Sequence, residues 1–176
     1  TKRYANNQYM DSNFLLYEGN LLKTIIQDDQ EEQTTFNYQN GVLSSKTNSY
    51  NQNGNWITFM SENYQFENNN RVQVISQNQF SIQPYKNTFE FDSKNSIMKN
   101  MNPYLKYIFT FETCEITSQN NAVKGFSYEN VNSTQGTYFK DYEIIYDADD
   151  YPTSIKKYNI YGTQQELISE MTITYN

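Results

Sequence analysis

The sequence contains no histidine. That removes the commonest general base and the commonest transition-metal ligand. It has one cysteine, Cys114, so an intramolecular disulfide and a cysteine-based zinc site are both excluded. Cationic residues are few, 13 Lys and Arg against 20 Asp and Glu, for a net charge of −7 and an isoelectric point near 4.6. An acidic chain without a basic cluster is a poor nucleic-acid binder, because phosphate neutralisation needs concentrated Lys and Arg. No run approaches the ~18 apolar residues a membrane helix needs. No charged-then-apolar targeting segment opens the chain, and a signal peptide or lipoprotein cysteine before Thr1 is left open.

In place of these residues stand amides and phenols. The 176 residues include 25 Asn, 15 Gln, 17 Tyr and 11 Phe. The low mean hydropathy points toward disorder, but disordered chains lack aromatics. The aromatic content of 16% therefore favours a folded domain. The length is room for one domain with a real core.

A short pattern repeats along the chain: an aromatic or aliphatic residue, a spacer, an aromatic, an acid or amide, a turn, then aliphatics. The copies are Leu15-Leu16-Tyr17-Glu18-Gly19-Asn20-Leu21, Phe36-Asn37-Tyr38-Gln39-Asn40-Gly41-Val42-Leu43, Tyr64–Val72, Phe89–Ile97 and Ile144–Pro152. Weaker copies are centred on Phe109-Thr110-Phe111 and Phe126-Ser127-Tyr128. Residues i and i+2 share one face of a strand, so Phe36 with Tyr38, and Phe89 with Phe91, point the same way. Hairpin turns need positive φ, which Gly, Asn and Asp tolerate. Asn40-Gly41 is the strongest such signal, and Asn69-Asn70, Asn95 and Asp149-Asp150 are read as filling the same slot.

The pattern predicts an all-β fold: a single domain of about a dozen antiparallel strands in sequential hairpins, forming a curved sheet or open barrel. The expected strands are about 13–18, 21–27, 33–39, 42–50, 55–67, 71–80, 85–92, 106–117, 122–130, 137–147, 153–161 and 166–175. Residues 1–12 are an N-terminal extension or first edge strand, and 13–176 the hairpin-repeat domain. A loop or short helical turn is expected near 96–104, where Asn102-Pro103 ends any helix. A transmembrane barrel is disfavoured, because Ser44–Asn51 and Asn68–Gln79 are too densely polar for a lipid-facing band.

The repeat resembles the YD-type repeat of bacterial cell-surface proteins, most closely at Tyr146-Asp147-Ala148-Asp149-Asp150-Tyr151-Pro152-Thr153-Ser154-Ile155. Asp150 stands where that repeat usually has Gly. The chain as a whole resembles secreted or lipid-anchored Bacteroidetes proteins carrying a domain of unknown function built on such hairpins. Asp92–Asn100 running into Tyr104-Leu105-Lys106 resembles their mid-domain connection, and Ser118–Lys124 the hairpin after it. The resemblance implies an all-β antiparallel sheet and an envelope or extracellular location. It implies no activity and carries over no catalytic residues.

Each candidate site has a plain alternative. Asp147, Asp149 and Asp150 have carboxylates at calcium-loop spacing, but the EF-hand glycine and glutamate are missing. The plain reading is a solvated turn, so no cofactor is expected and calcium is the one candidate ion. Asp28, Asp29, Glu31 and Glu32 form a second acidic cluster, read as a solvated loop rather than a glycosidase pair. Cys114 lies between Glu112 and Glu115, acidic neighbours that do nothing to lower a thiol pKa, and is read as structural. Asn132-Ser133-Thr134 matches a glycosylation triplet that arises easily in an Asn-rich chain. The repeat aromatics are read as core. Aromatics outside the repeat are the binding candidates: Trp56, Tyr85, Tyr104, Tyr151 and Tyr158, with Tyr50 and Tyr161 beside them.

Three functions fit. The first is a non-enzymatic envelope or secreted module that binds a glycan or protein through amide and phenol groups. The second is a carrier of a lipid-like ligand in the concavity of the sheet. The third is a carboxylate-based hydrolase, behind which no particular residue stands. Nucleic acid is not an expected partner, and a lipid anchor in the precursor is compatible with the first reading.

Overall fold

The computed structural model describes residues 2–5, 8–27, 31–100 and 118–175. Among them are twelve strands: β1 (Lys2–Ala5), β2 (Gln8–Glu18), β3 (Leu21–Gln27), β4 (Glu32–Gln39), β5 (Val42–Gln52), β6 (Asn55–Glu67), β7 (Asn70–Asn78), β8 (Tyr85–Phe91), β9 (Ala122–Tyr128), β10 (Thr137–Tyr146), β11 (Pro152–Tyr161) and β12 (Gln164–Thr172). The sheet order is the sequence order, with β1 and β12 at its two ends, so the sheet is open rather than closed into a barrel. The fold is all-β, and no helix occurs among the described residues. Short links produce this order, because an antiparallel neighbour can be reached through a two-residue turn.

The turns follow their residues. Asn40 and Gly41 both lie at positive φ (53° and 78°), as do Asn53 and Gly54 (55° and 84°). Two consecutive positive φ values define the type I′ turn, whose twist matches that of the flanking strands. Two turn assignments are corrected. In the β6–β7 turn the pair is Asn68 and Asn69 (50° and 61°), not Asn69 and Asn70, because Asn70 already belongs to β7. Asn95 is not at positive φ; its backbone and amide are spent on contacts between loops. Asp150 does take the left-handed conformation, at 64°. Residues 8–12, expected outside the repeat, extend β2. Ser96–Asn100 form a turn closed by the Lys99 amide on the Ser96 carbonyl, 3.1 Å. The expected strand at 106–117 lies outside the described residues.

The chain divides into two compact units: Thr1–Tyr64 with Ile75–Pro84, and Gln65–Val74 with Tyr85–Asn176. In the first unit Leu22, Ile25, Phe36 and Leu43 are buried. Register places Phe36 opposite Lys46 and Lys46 opposite Glu62. The Lys46 ammonium meets the Glu62 carboxylate at 2.7 Å with both side chains largely buried. The Tyr64 hydroxyl donates to the same carboxylate, also at 2.7 Å. A buried charge needs such partners, since desolvation otherwise outweighs any gain. Thr24, Thr35, Thr47 and Ser61 are consecutive cross-strand partners over β3–β6, forming a row of hydroxyls.

In the second unit Ala122 and Tyr142 are buried, with Phe89, Phe91, Ile144 and Ile155 packed against them. Phe89 also meets Phe139 edge-on, centroids 6.5 Å apart. Gly125 lies in β9 beneath these rings. A Cβ there would come within 3.0 Å of the Lys140 Cβ and 3.2 Å of the Phe139 ring. A glycine inside a strand marks such a close approach. Phe89 and Phe91 therefore pack as core, as their spacing predicts, whereas Tyr17, a repeat aromatic expected in the core, is half exposed.

Candidate functional site

Because Tyr142 and Ile144 turn into the core, Asp141, Glu143 and Ile145 on β10 turn outward. On β11, Ile155 packs inward, so Ser154, Lys156 and Tyr158 share the outward face. Register assembles rows across this face. Glu90, Lys124, Asp141, Tyr158 and Leu167 are successive cross-strand partners from β8 to β12. Glu143, Lys156 and Glu170 form a second row, and Phe126 and Tyr138 face each other in a third.

Two phenol–carboxylate pairs stand on this face. The Tyr158 hydroxyl donates to Glu143 Oε2 at 2.9 Å. That hydrogen bond, more than burial, raises the phenol pKa above its ordinary value of 10. Tyr138 is pushed up to about 12, by burial first, then by a hydrogen bond to Asp141 and the charges of Asp141 and Glu90. The Tyr138 ring lies 5.5 Å from Phe126, with the Lys124 ammonium 6.0 Å from its centroid. Both phenols are neutral at physiological pH, as any phenol is well below pH 10, and the upward shifts only widen that margin. The face offers ring surface for stacking and carboxylate oxygens that accept from hydroxyls.

At another place in the second unit, four segments interlock through amides: 68–71, 92–96, 118–121 and 147–151. Asn70 and Asn120 bond reciprocally, the Asn70 amide to Asn120 Oδ1 at 2.9 Å and the Asn120 backbone N–H to Asn70 Oδ1 at 2.8 Å. The buried Ser118 receives the Arg71 N–H on its hydroxyl at 3.0 Å, and Ser96 donates to its carbonyl at 2.8 Å. Asn121 donates its backbone N–H to Asp92 Oδ1 at 3.1 Å and its amide to the Asn95 carbonyl at 2.9 Å. The Tyr146 hydroxyl donates to Asp92. Burial, then this bond and the Asp92 charge, push its pKa well above the ordinary range. Lys94 pairs with Asp150 at 2.5 Å. These donors and acceptors satisfy one another, so the knot fixes turns in place.

The acidic turn belongs to this knot. Asp147 Oδ1 accepts the backbone N–H groups of Asp149 and Tyr151, each at 2.9 Å. Asp150 is engaged by Lys94. Among the described residues no group of three or more His, Cys, Asp or Glu is arranged to hold a metal ion.

The sequence-predicted aromatics are dispersed. Trp56 opens β6 in the first unit, opposite Asn51 and 38% exposed. Tyr85, Tyr151 and Tyr158 belong to the second unit. Tyr151 packs 5.5 Å from Tyr175, and its hydroxyl accepts from Asn100 at 3.0 Å. Of these residues, Tyr158 lies on the phenol–carboxylate face. Tyr104, Cys114, Asp28 and Asp29 lie outside the described residues. Tyr138, Asp141 and Glu143 went unnoticed in the sequence; their alternation within β10 was the available signal.

No family model matches the sequence, and no curated protein matches it. Solved structures similar to it include a porin-like protein from Bacteroides uniformis, with a TM-score of 0.55 at 9% identity, covering 96% of this chain and 80% of that one. A protein of unknown function from Bacteroides fragilis gives 0.40 at 10% identity, over 81% of this chain and 91% of the other. At such identity the likeness to the porin-like protein is one of all-β fold. Among the described residues, no helix is long and apolar enough to cross a membrane.

Proposed function

We propose that this chain is a non-enzymatic binding module of the bacterial envelope or secreted space, and that the outward face of β8–β12 takes glycans. The observation that carries the reading is the pair of neutral phenols, Tyr138 and Tyr158, each held beside a carboxylate on one face of the sheet. A sugar ring stacks on such rings while its hydroxyls donate to the carboxylates. In these two rows the carboxylates of Glu90, Asp141, Glu143 and Glu170 outnumber the ammonium groups of Lys124 and Lys156, a balance that favours neutral sugars over phosphorylated or sulfated ones. The Bacteroidetes resemblance of the repeat and the all-β likeness to a porin-like Bacteroides protein support the location. The carrier alternative draws no support from the second unit, whose paired Phe89 and Phe91 pack against Ala122 and Tyr142.

A glycan array followed by calorimetry on the positive ligands tests this reading. Binding should fall at least tenfold in Tyr158→Ala and in Tyr138→Ala. An array negative for every glycan, or binding untouched by both substitutions, would overturn it.

A further inference from the structure

Two apolar side chains stand apart in exposure. Phe80 is 86% exposed and Ile82 97%, while the next large apolar residue among those described, Ile145, is 64% exposed. Both belong to the loop between β7 and β8, and that loop is tied to itself. The Asn78 side chain accepts the Phe80 N–H at 2.9 Å. The Ser81 N–H and hydroxyl both donate to the Asn78 carbonyl, at 3.1 and 3.0 Å. The turn therefore spends its polar groups on itself and leaves the two apolar side chains outside. The Gln79 N–H donates to the Phe59 carbonyl at 2.9 Å, which sets the loop beside the start of β6. There the tip of the β5–β6 hairpin, residues 51–58, is exposed on both faces. It carries Trp56 and Ile57, 38% and 37% exposed. All four apolar residues lie in the first unit, so one end of its strands presents them to solvent together. Such groups mark contact sites.

What meets this end is indicated by charge. Lys46 and Glu62 bound a run of 15 uncharged residues, 47–61, and Arg71 and Lys86 bound a run of 14, 72–85. In a chain that is 19% charged, both tips are thus cleared of charge. Charged side chains are what hydrocarbon excludes most strongly, and tryptophan is suited to the headgroup level of a bilayer. A protruding tip fits a medium that closes around it, whereas a protein partner would need a shaped pocket for each side chain. The net charge of −7 works against anionic headgroups.

We infer that this end of the first unit docks on the surface of a zwitterionic lipid bilayer. Phe80 and Ile82 enter the acyl boundary, and Trp56 lies at headgroup level with the surrounding amides. The attachment is monotopic, driven by buried apolar area and not by ionic attraction. It goes beyond the glycan reading, which uses the phenol face of the second unit.

The test incubates the full chain with phosphatidylcholine vesicles. Sucrose-loaded vesicles should carry the chain into the pellet. Emission from Trp56, the sole tryptophan, should shift to shorter wavelength and be quenched by brominated acyl chains. Replacing half of the lipid with phosphatidylglycerol should not strengthen binding. The double substitution Phe80→Gln with Ile82→Gln should weaken the partition at least tenfold and return the Trp56 emission to its lipid-free position. Its far-ultraviolet circular dichroism should be retained, because neither side chain supports the core. Val42→Gln removes an apolar side chain, 49% exposed, at the opposite end of β5, and should leave the partition unchanged. Chain left in the supernatant, Trp56 emission unmoved by lipid, a partition untouched by the double substitution or lowered equally by Val42→Gln, or binding that requires phosphatidylglycerol would each overturn the inference. So would self-association of the lipid-free chain that the double substitution abolishes, which would assign the tips to a second copy.

Discussion

The two units solve the same problem with different chemistry. The first buries aliphatic side chains and one phenylalanine, and sets a charged pair, Lys46 and Glu62, beside them. The second gathers half-buried aromatic rings around Tyr142 and ties its loops with amides. The contrast follows from connection length. Where strands are joined by two residues, as in β4–β5 and β5–β6, the amides serve as turn residues. Where β8 is followed by a long connection before β9, amides reach across the chain instead.

The largest effect should come from the first unit's dependence on a single ring. Phe36→Ala, at 1% exposure, should cost about 3–5 kcal/mol in urea unfolding. Phe89→Ala in the shared aromatic cluster should cost about 2 kcal/mol, because only part of its surface leaves water. Equal losses would break the comparison. Next in size is the reciprocal amide pair. Asn70→Ala and Asn120→Ala should each cost about 1–3 kcal/mol by leaving the other amide short of a partner. The double variant should cost less than the sum of the two, and strict additivity would remove the knot as a cooperative element.

The smallest effect is confined to alkaline pH. Tyr146 and Tyr138 keep their protons beyond pH 10, the ordinary phenol value. Stability drawn from them is fully present below about pH 10, where folded and unfolded chains are both protonated. It is lost as pH rises through the folded values, Tyr138 at about 12, because the unfolded chain releases its protons first. Absorbance titration near 295 nm should show a late-ionising group that Tyr146→Phe diminishes. A titration in which all phenols ionise together would contradict the Asp92 contact.

Most strands were legible because alternation and turn residues agree. The expected bounds of β3 and β6 match the observed ones. Failures have local causes. In Asn68-Asn69-Asn70 each residue tolerates a left-handed turn equally, so propensity alone does not choose the pair. On β10 a register shift between Tyr138 and Lys140 changes which residues share a face. One extra residue in a strand reverses the inside–outside assignment, and bulges are invisible to simple alternation. Tyr158 was found because it lies outside the repeat. The amide knot was missed because its members are separated by tens of residues and carry no spacing signature.

That separation bears on how the second unit folds. Its hairpins β10–β11 and β11–β12 join neighbours in sequence, so each closes a short loop at small entropic cost. The knot closes far longer ones: Asn70 to Asn120 spans 50 residues and Lys94 to Asp150 spans 56. Local closures precede distant ones when nothing else intervenes. The hairpins are therefore expected to form before the amide contacts, and φ-values near zero for substitutions at Asn70 and Asn120 would be the sign of it.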